Sequence, residues 1–433
     1  MLLSVLVFAG TCLLMILSVL FFPTLRLGKL RVSTYWLITL LGACVLLAVG
    51  PVPVSTVFRD LVADTAVNPL KILVLFLAMT VLSVFLDELG FFRALASFAL
   101  RHAHSGQRRL FFSLYAVVSV LTVFTSNDII ILSFTPFLCY FAKNAEIDPV
   151  PYLAAEFVAA NTWSMALIIG NPTNIYLATA LGIDFVAYLK VSILPTLAAG
   201  LVSLPLLYLL FHKQLAKPLG GHAERVKVED KLQLVVGISH LAVCTVLLAI
   251  GSYIGLEMWL VALCSALSLF LFTGVIAAVR RRKPKELFGC LKRAPYPLIP
   301  FVLSMFTMIV VLTEEGATAY IADFLGETLS IPKYGALSFL SANVINNIPM
   351  SVLFSSILTA NGHTMSAGAV FATVIGSNLG ALFTPIGALA GIMWSGMLKD
   401  HGVKFGYLQF LKLGVIVALP ALAASLLALW AVV

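Results

Sequence analysis

The sequence predicts an all-α polytopic membrane protein with an inverted-topology repeat, about 10 transmembrane helices, two re-entrant helical hairpins and two broken helices. Three observations predict this class: the composition, the placement of basic residues, and a similarity between the two halves of the chain. The chain has 433 residues, of which 61% are hydrophobic and 11% are charged. Its mean hydropathy is +1.06. Apolar runs of about 18 or more residues, long enough to cross a bilayer, recur from end to end.

Composition and motifs also argue against other classes. The six cysteines are scattered singly and show no metal-ligand spacing, so we expect them to pack in helices and predict no metal site. The chain carries no H-E-x-x-H or G-x-S-x-G motif, so we predict no catalytic residues and no enzyme activity. The net charge of +8 is explained by loop topology, and no nucleic-acid partner is expected.

Basic residues predict the orientation in the membrane. The first apolar run, Met1 to Phe22, is too long for a signal-peptide core, so we interpret it as the first span. Of the 27 Lys and Arg, all can be placed in cytoplasmic loops except Arg59, Lys71, Lys190 and Lys333. This bias predicts a multi-pass protein of the cell inner (plasma) membrane, with cytoplasmic basic loops and the N-terminus outside.

Two apolar segments are predicted to enter the membrane and return. Residues 110–141 are too long for one span, carry TSND in the middle, and are flanked by Arg109 and Lys143 on one side. Residues 335–360 carry NVINNIP in the same way, with both ends outside. Irregular backbone at membrane depth occurs only where protein or a water-filled cavity surrounds it. We therefore predict re-entrant hairpins whose tips border a transport site.

The two halves of the chain resemble each other. FLDELGFF (85–92) is similar to VLTEEGAT (311–318), which pairs Glu88 with Glu314 and Gly90 with Gly316. The tip Asn127–Asp128 pairs with Asn346–Asn347, and IIGNPTN pairs with LFTPIG. Because the first half begins outside and the second inside, this is an inverted repeat, an architecture typical of secondary transporters.

The repeat also predicts the domain organisation. The predicted parts are a first transmembrane helix (1–34), repeat 1 (35–211, with hairpin 110–141 and broken helix 151–182), a cytoplasmic linker (212–231), and repeat 2 (232–433, with hairpin 335–360 and broken helix 365–395).

The breaks and tips predict a binding site near the membrane midplane. A broken helix frees backbone N–H and C=O groups, and Asn and Thr add donors and acceptors without burying a charge. The predicted substrate-binding residues are Ser126, Asn127, Asn171, Thr173, Asn174, Asn346, Asn347, Asn378 and Thr384. No resident cofactor is predicted, but a bound sodium ion near Ser126, Asn127, Asn174, Asn346 and Asn378 stays open.

Asp128 is the one carboxylate at a predicted midplane tip. It is therefore the candidate coupling residue, as a proton carrier or as a cation ligand. The alternative, that Asp128 only caps the second helix of its hairpin, also stays open.

Five stretches resemble a known group of proteins. LDELGFF, the TSND tip, GNPTN, the INNIP tip and SNLGALFTPIGALAGIMW are similar to the ion transporter superfamily, nearest its arsenite/antimonite efflux permease (arsenical pump membrane protein) branch. The resemblance covers most of the chain. It implies a scaffold subdomain and a transport subdomain, an elevator-like movement, a homodimer in the lipid bilayer, and export of arsenite or antimonite driven by the proton gradient. A cytoplasmic ATPase is a further partner that it suggests.

The chain departs from this branch at the site. Arsenite permeases tend to carry Asp where this chain has Asn161 and Asn378, and Pro where it has Ala381. GNPTN is similar to the motif of carboxylate and other anion carriers, so a sodium-coupled carboxylate or other anion transporter is the alternative function. No Lys or Arg is predicted at the midplane, which suits neutral arsenous acid better than a divalent anion. The LDELGFF and TPIGALA stretches also favour the arsenite branch.

Overall fold

The computed structural model is almost entirely helical. It describes residues 1–22, 24–27, 30–64, 68–102, 106–217, 228, 230–251, 254–360 and 365–433. Most of the predicted linker 212–231 lies outside the described residues. A short antiparallel hairpin, which the sequence did not predict, joins the first two helices: strand β1 (Thr24–Leu27) pairs with strand β2 (Leu30–Ser33).

The described residues of the first half form ten α-helices. They are α1 (Leu2–Phe21), α2 (Thr34–Val49), α3 (Val54–Val62), α4 (Pro69–Glu88), α5 (Phe91–His102), α6 (Gln107–Phe124), α7 (Asn127–Asn144), α8 (Val150–Trp163), α9 (Pro172–Ala180) and α10 (Phe185–Leu215). Two 3-10 turns, Ser164–Ala166 and Ile168–Gly170, separate α8 from α9. The chain therefore breaks its helix where GNPTN begins, as predicted.

The second half repeats this order. Its helices are α11 (Lys231–Gly251), α12 (Met258–Val279), α13 (Lys285–Arg293), α14 (Leu298–Glu314), α15 (Ala317–Leu325), α16 (Ser330–Ile345), α17 (Asn347–Leu358), α18 (Ala367–Gly380), α19 (Leu389–Asp400), α20 (Tyr407–Leu413) and α21 (Leu419–Trp430). A 3-10 turn at Pro385–Gly387 lies in the break between α18 and α19. A π-helical turn at Gly414–Ala418 joins α20 to α21 in one continuous rod.

Packing between the halves is reciprocal. Helix α4 packs against α12, and α14 packs against α2. The short helix α13 contacts α4, and α3 contacts α14 in the same way. Each hairpin packs on the broken helix that follows it, α6 and α7 on α8, and α16 and α17 on α18. The inverted repeat is thus visible both in the order of elements and in their contacts.

The paired motifs of the sequence hold equivalent places at the ends of α4 and α14. Helix α4 ends at Glu88 and α14 ends at Glu314. Gly90 and Gly316 follow with φ of +74° and +77°, a left-handed conformation that Gly adopts without a side-chain clash. The pairing of Glu88 with Glu314 and of Gly90 with Gly316 is confirmed.

The pairing at the hairpin tips needs a correction of one residue. The N-cap of α7 is Ser126, and the N-cap of α17 is Asn346. Asn127 therefore matches Asn347 instead of Asn346, and Asp128 matches Ile348. The TSND and NVINNIP sequences alone could not decide between the two registers, because Asn127 can be aligned equally well with Asn346 or with Asn347.

Eight stretches of the described residues are long and apolar enough to cross a membrane: α1, α4, α6, α10, α11, α12, α13 with α14, and the α20–α21 rod. Of these, α6 is an arm of a hairpin and does not count as a crossing. Helix α2 has 16 residues, and it and the pieces of the two broken helices are too short for this criterion. Counted with the other stretches, α2 and the two broken helices complete the predicted number of about 10 transmembrane helices. Helix α1 holds the place in the first half that α11 holds in the second, whereas the predicted boundaries set residues 1–34 apart from repeat 1. The domain boundaries stay a prediction.

Charged residues collect at opposite ends of the bundle. At one end, Arg293 forms ion pairs with Asp87 (2.6 Å) and Glu88 (2.8 Å). Arg280 and Arg282 pair there with Asp230. At the other end, Lys71 pairs with Asp64 and Glu257, each at 2.6 Å. Arg280, Arg282 and Arg293, which their charge assigned to one side, thus lie together, and Lys71, assigned to the other side, lies at the opposite end. Which end is cytoplasmic stays a prediction.

These ion pairs set the pKa values of two carboxyls outside the spans. The hydrogen bond from Lys71 is the main cause that holds the pKa of Glu257 below its ordinary value. Burial acts to raise the pKa of Asp230, but the backbone N–H of Gln233 and the guanidinium of Arg282 outweigh it and leave that pKa lowered.

Candidate substrate site

The first hairpin tip lies against the first broken helix. Asn127, the first residue of α7, donates from Nδ2 to Oδ1 of Asn161 on α8 at 3.1 Å. Asn161 in turn donates to the carbonyl of Phe157 one turn earlier at 2.8 Å. The side-chain Oγ of Ser126 is buried and has no hydrogen-bond partner. The tip is therefore held by one amide pair and leaves one hydroxyl free to bind a ligand.

The break in the first helix is stabilised by its own asparagines. Asn171 caps α9 by accepting a hydrogen bond from the backbone N–H of Thr173 at 3.1 Å, and Pro172 follows the cap at a position that needs no N–H donor. Asn174 donates to the carbonyls of Ser164 (2.8 Å) and Leu167 (3.2 Å), which the break has freed from the helix. The GNPTN residues thus satisfy the backbone groups that a midplane break exposes.

Asn378 of α18 joins the two halves. It donates to Oδ1 of Asn174 at 2.7 Å and accepts from Nδ2 of Asn171 at 2.8 Å. The single hydroxyl proton of Ser164 is shared between Oδ1 of Asn378, at 3.1 Å, and the backbone carbonyl of Asn161, at 3.0 Å. One buried network therefore runs from the first hairpin tip, through the first break, to the second half. We call it the amide network; its members are Asn127, Asn161, Ser164, Asn171, Asn174 and Asn378.

A second group of contacts holds the other hairpin tip to the second break. Asn346 donates from Nδ2 to the carbonyl of Ile386 at 2.9 Å. Thr384 donates to Oδ1 of Asn343 at 2.6 Å, and Asn343 donates to the carbonyl of Gly380. Asn346 has φ of +72°, a conformation that is uncommon outside Gly and that often marks a functional site.

Three predicted site residues carry a buried side-chain oxygen without a hydrogen-bond partner. These are Ser126 Oγ, Thr173 Oγ1 and Asn347 Oδ1. Buried polar atoms in proteins are nearly always paired, so these three oxygens are candidates to bind a ligand. Thr173 also lines a small cavity with Ser351 and Tyr176, on the boundary between α9, α17 and the helices α4 and α14. On the α4 and α14 side, the cavity wall is apolar and consists of Ile72, Leu73, Phe76, Leu298 and Val302.

The predicted residues thus fall into three sets. Asn127, Asn171, Asn174 and Asn378 lie in the amide network. Asn346 and Thr384 lie in the second group, at the other tip. Ser126, Thr173 and Asn347 contribute the unpartnered oxygens. All nine are buried in the structure, and their role in binding stays a prediction.

Asp128 lies in the first turn of α7 and does not cap that helix, because the N-cap is Ser126. No hydrogen bond to its carboxylate and no salt bridge is recorded in the described part of the chain. The capping alternative is therefore wrong, and the coupling role stays a prediction.

Sequence reasoning missed three polar residues that the structure brings to the site. Asn161 and Ser164 belong to the amide network, yet Asn161 had been noted only as a departure from arsenite permeases. Asn343 was part of the tip motif but not of the predicted set. Asn161 and Asn378 are each the twelfth residue of a 14-residue helix, α8 and α18, and each donates to the carbonyl four residues earlier. Aligning the two halves on helix lengths could have found this pair.

The inverted repeat, the paired hairpins and the two broken helices that meet at a buried polar site define a multi-pass membrane transporter. The chain belongs to the citrate transporter family, CitMHS, which matches residues 27–376. It is similar to the arsenical pump membrane protein of Escherichia coli K12, with 29% identity over 379 residues, 82% of this chain and 84% of that protein. The putative arsenical pump membrane protein of Bacillus subtilis is 23% identical over 79% of this chain and 83% of its own length.

A solved structure shares the fold. The Alcanivorax borkumensis YdaH transporter, whose crystal structure is described as having an unusual topology, matches with a TM-score of 0.55 and 15% identity. The match covers 98% of this chain and 97% of that chain. At this identity, the likeness concerns the fold alone.

Proposed function

We propose that the protein is a secondary active transporter that exports arsenite or antimonite and is driven by the proton gradient. The observation that carries the proposal is the neutral character of the amide network and of the unpartnered oxygens of Ser126, Thr173 and Asn347. Amides and hydroxyls can both donate to and accept from the hydroxyl groups of neutral arsenous acid. The identity to arsenical pump membrane proteins over most of the chain also supports this substrate.

A sodium-coupled carboxylate or other anion transporter is the second candidate. The description of the matching family as citrate transporters supports it. An unpartnered amide oxygen and two hydroxyl oxygens are also the ligands that a hard cation prefers. In that case a sodium ion at the predicted place, near Ser126, Asn127, Asn174, Asn346 and Asn378, would supply the positive charge that a carboxylate substrate needs.

The proposal includes a movement and an assembly. The helices that carry the site, α6 to α9 and α16 to α19, would move as a transport body past α4 and α14 in an elevator-like way. The apolar wall at Ile72, Phe76 and Val302 supports such sliding, because it offers no polar contact that must be broken. We place the protein in the inner membrane as a homodimer with cytoplasmic basic loops. No resident cofactor is proposed, and a cytoplasmic ATPase partner stays open.

Ligand-dependent stability of the purified protein tests the substrate. A ligand at 100 times its Kd stabilises the folded state by about 2.7 kcal/mol. We expect arsenite and antimonite to raise the unfolding temperature without sodium, and citrate, succinate and sulfate to have no effect. Stabilisation by citrate or succinate that requires sodium would instead identify the second candidate.

Thr173→Val provides a matched variant for this test. Thr173 Oγ1 has no partner inside the protein, so its removal should leave the unliganded unfolding temperature unchanged and abolish the response to arsenite. Thr373→Val is the control, because the Thr373 hydroxyl is occupied by the carbonyl of Ala369 in its own helix. An unchanged arsenite response in Thr173→Val would remove Thr173 from the site.

A further inference from the structure

Glu156 is a carboxyl group in the interior of α8, and the amide network does not use it. Its side chain is 0% exposed. The Thr135 hydroxyl of α7 donates to Oε1 at 2.9 Å, while Oε2 has no hydrogen-bond partner. One oxygen of this carboxyl therefore has a hydrogen-bond partner and the other has none. A buried polar atom without a partner lowers the stability of the fold, so a purely structural role does not explain the residue.

The surroundings of Glu156 are neutral. Trp394 of α19 lies beside the carboxyl, but its indole N–H does not reach hydrogen-bond geometry, and its ring packs on Phe157 at 4.8 Å between centroids. Cys139 of α7 is a titratable neighbour. No Lys, Arg, His, Asp or other Glu within the described ranges forms an ion pair with Glu156. An isolated carboxylate in such surroundings is strongly disfavoured, so this conformation holds the group as a neutral acid.

The position of Glu156 connects the site to one end of the bundle. It lies six residues into α8, about 9 Å from the α7–α8 connection along the helix. Its partner Thr135 follows Asp128 by seven residues on α7, which places the two on one face about 10 Å apart. Glu156 thus lies between the connection and the amide network, at the junction of a hairpin arm, α7, with both broken helices.

We propose that Glu156 is a proton-binding residue of the transport cycle, and this rests on the proposed function. In the conformation described here, the carboxyl holds its proton. When the transport body moves and water enters from the α7–α8 connection, the O–H bond breaks and the proton passes to that water. The carboxylate left behind keeps the Thr135 hydrogen bond until a proton returns from the Asp128 side. Glu156 therefore acts on coupling and makes no contact with substrate.

Glu156→Gln separates coupling from substrate binding. The Gln side chain keeps the neutral shape and the bond from Thr135, but it cannot release a proton. In proteoliposomes containing a pH-sensitive dye, we expect this variant to exchange arsenite at the wild-type rate. It should lose both the stimulation by a pH gradient and the proton flux that accompanies arsenite. Glu88→Gln is the control, since Glu88 pairs with Arg293 at the rim of the bundle and should keep both properties.

A second variant keeps the test decisive if Glu156→Gln does not fold. Thr135→Val removes the donor to the carboxylate and should move the pH midpoint of transport upward by about one unit or more. Tryptophan fluorescence should also change with pH in wild type and lose that change in both Trp394→Phe and Glu156→Gln. Gradient stimulation that survives in Glu156→Gln, with an unchanged pH midpoint in Thr135→Val, would overturn the role of Glu156 and leave the proposed proton coupling standing. A wild-type protein that ignores the pH gradient would overturn the proposed proton coupling as well.

Discussion

Asn378→Ala should destabilise the protein more than any other single change in the amide network. The substitution removes the partner of Asn174 Oδ1 and the partner of Asn171 Nδ2, and neither atom has another recorded hydrogen bond. Ser164 keeps its bond to the carbonyl of Asn161. Each buried polar atom left without a partner costs about 1–3 kcal/mol, so the expected loss is roughly 2–6 kcal/mol.

Two matched variants calibrate this expectation. Asn161→Ala, at the equivalent place in the other half, strands only Asn127 Nδ2 and should cost about 1–3 kcal/mol. Thr373→Ala, one turn and a half earlier on α18, loses only a bond within its own helix and should cost about 0.5–1.5 kcal/mol. The assay is the free energy of unfolding of the detergent-purified protein in a denaturant titration. Equal losses for Asn378→Ala and Thr373→Ala would refute the view that Asn378 holds the two halves together.

Three further predictions follow from local geometry. A Cβ at Gly376 would lie 1.9 Å from Ser338 Oγ and 2.4 Å from the Gly335 carbonyl. Gly376→Ala should therefore push α18 away from α16 and lower the unfolding temperature. Gly274→Ala is the control and should leave the unfolding temperature unchanged, because nothing lies within 4 Å of a Cβ there. Asp128→Asn should abolish stimulation of arsenite transport by a pH gradient but retain exchange; sodium-driven, pH-indifferent uptake that Asp128→Asn leaves unaltered would contradict this. Because the folded pKa of Asp230 is lowered, its ion pairs should stabilise the protein above about pH 4 and lose this effect as the pH falls through the folded value. Asp230→Asn should therefore unfold at a lower temperature than wild type at pH 7, with a gap that closes in acid.

The fold could be predicted from the sequence because a bilayer restricts what a chain can do. Length and hydropathy identify the spans, and a polar break such as GNPTN within an apolar run has few structural explanations. The predicted hairpin 110–141 extends from Gln107 to Asn144, and the predicted broken helix 151–182 runs from Val150 to Ala180. The small β1–β2 hairpin was missed because a two-strand pairing of four residues each leaves almost no periodic signal.

The site was predicted only in part, because its partners depend on helix register. GNPTN indicated which residues would be polar at the break, but not that Asn171 and Asn174 would both bind Asn378 from the other half. The structure separates two kinds of predicted site residue: the Thr173 hydroxyl has no hydrogen-bond partner, whereas the Asn378 side chain bonds to both Asn171 and Asn174. Glu156 escaped notice because a single Glu in an apolar helix looks interfacial until its neighbours are known.

The two halves share a backbone plan but differ in their ionisable groups. Asn161 and Asn378 occupy equivalent places in α8 and α18, so the neutral amides at the centre are symmetric. The carboxyls are not: Asp128 matches Ile348 at the hairpin tip, and Glu156, seventh in α8, matches Thr373, seventh in α18. If Asp128 and Glu156 carry the protons that drive transport, proton binding is confined to the first half, because Ile348 and Thr373 at the equivalent places cannot ionise. Moving the carboxyl across the repeat, with Glu156→Gln combined with Thr373→Glu, should therefore fail to restore stimulation by a pH gradient in proteoliposomes. Ser355 holds the place of Thr135 in α17, but its hydroxyl donates to the carbonyl of Val352 in its own helix.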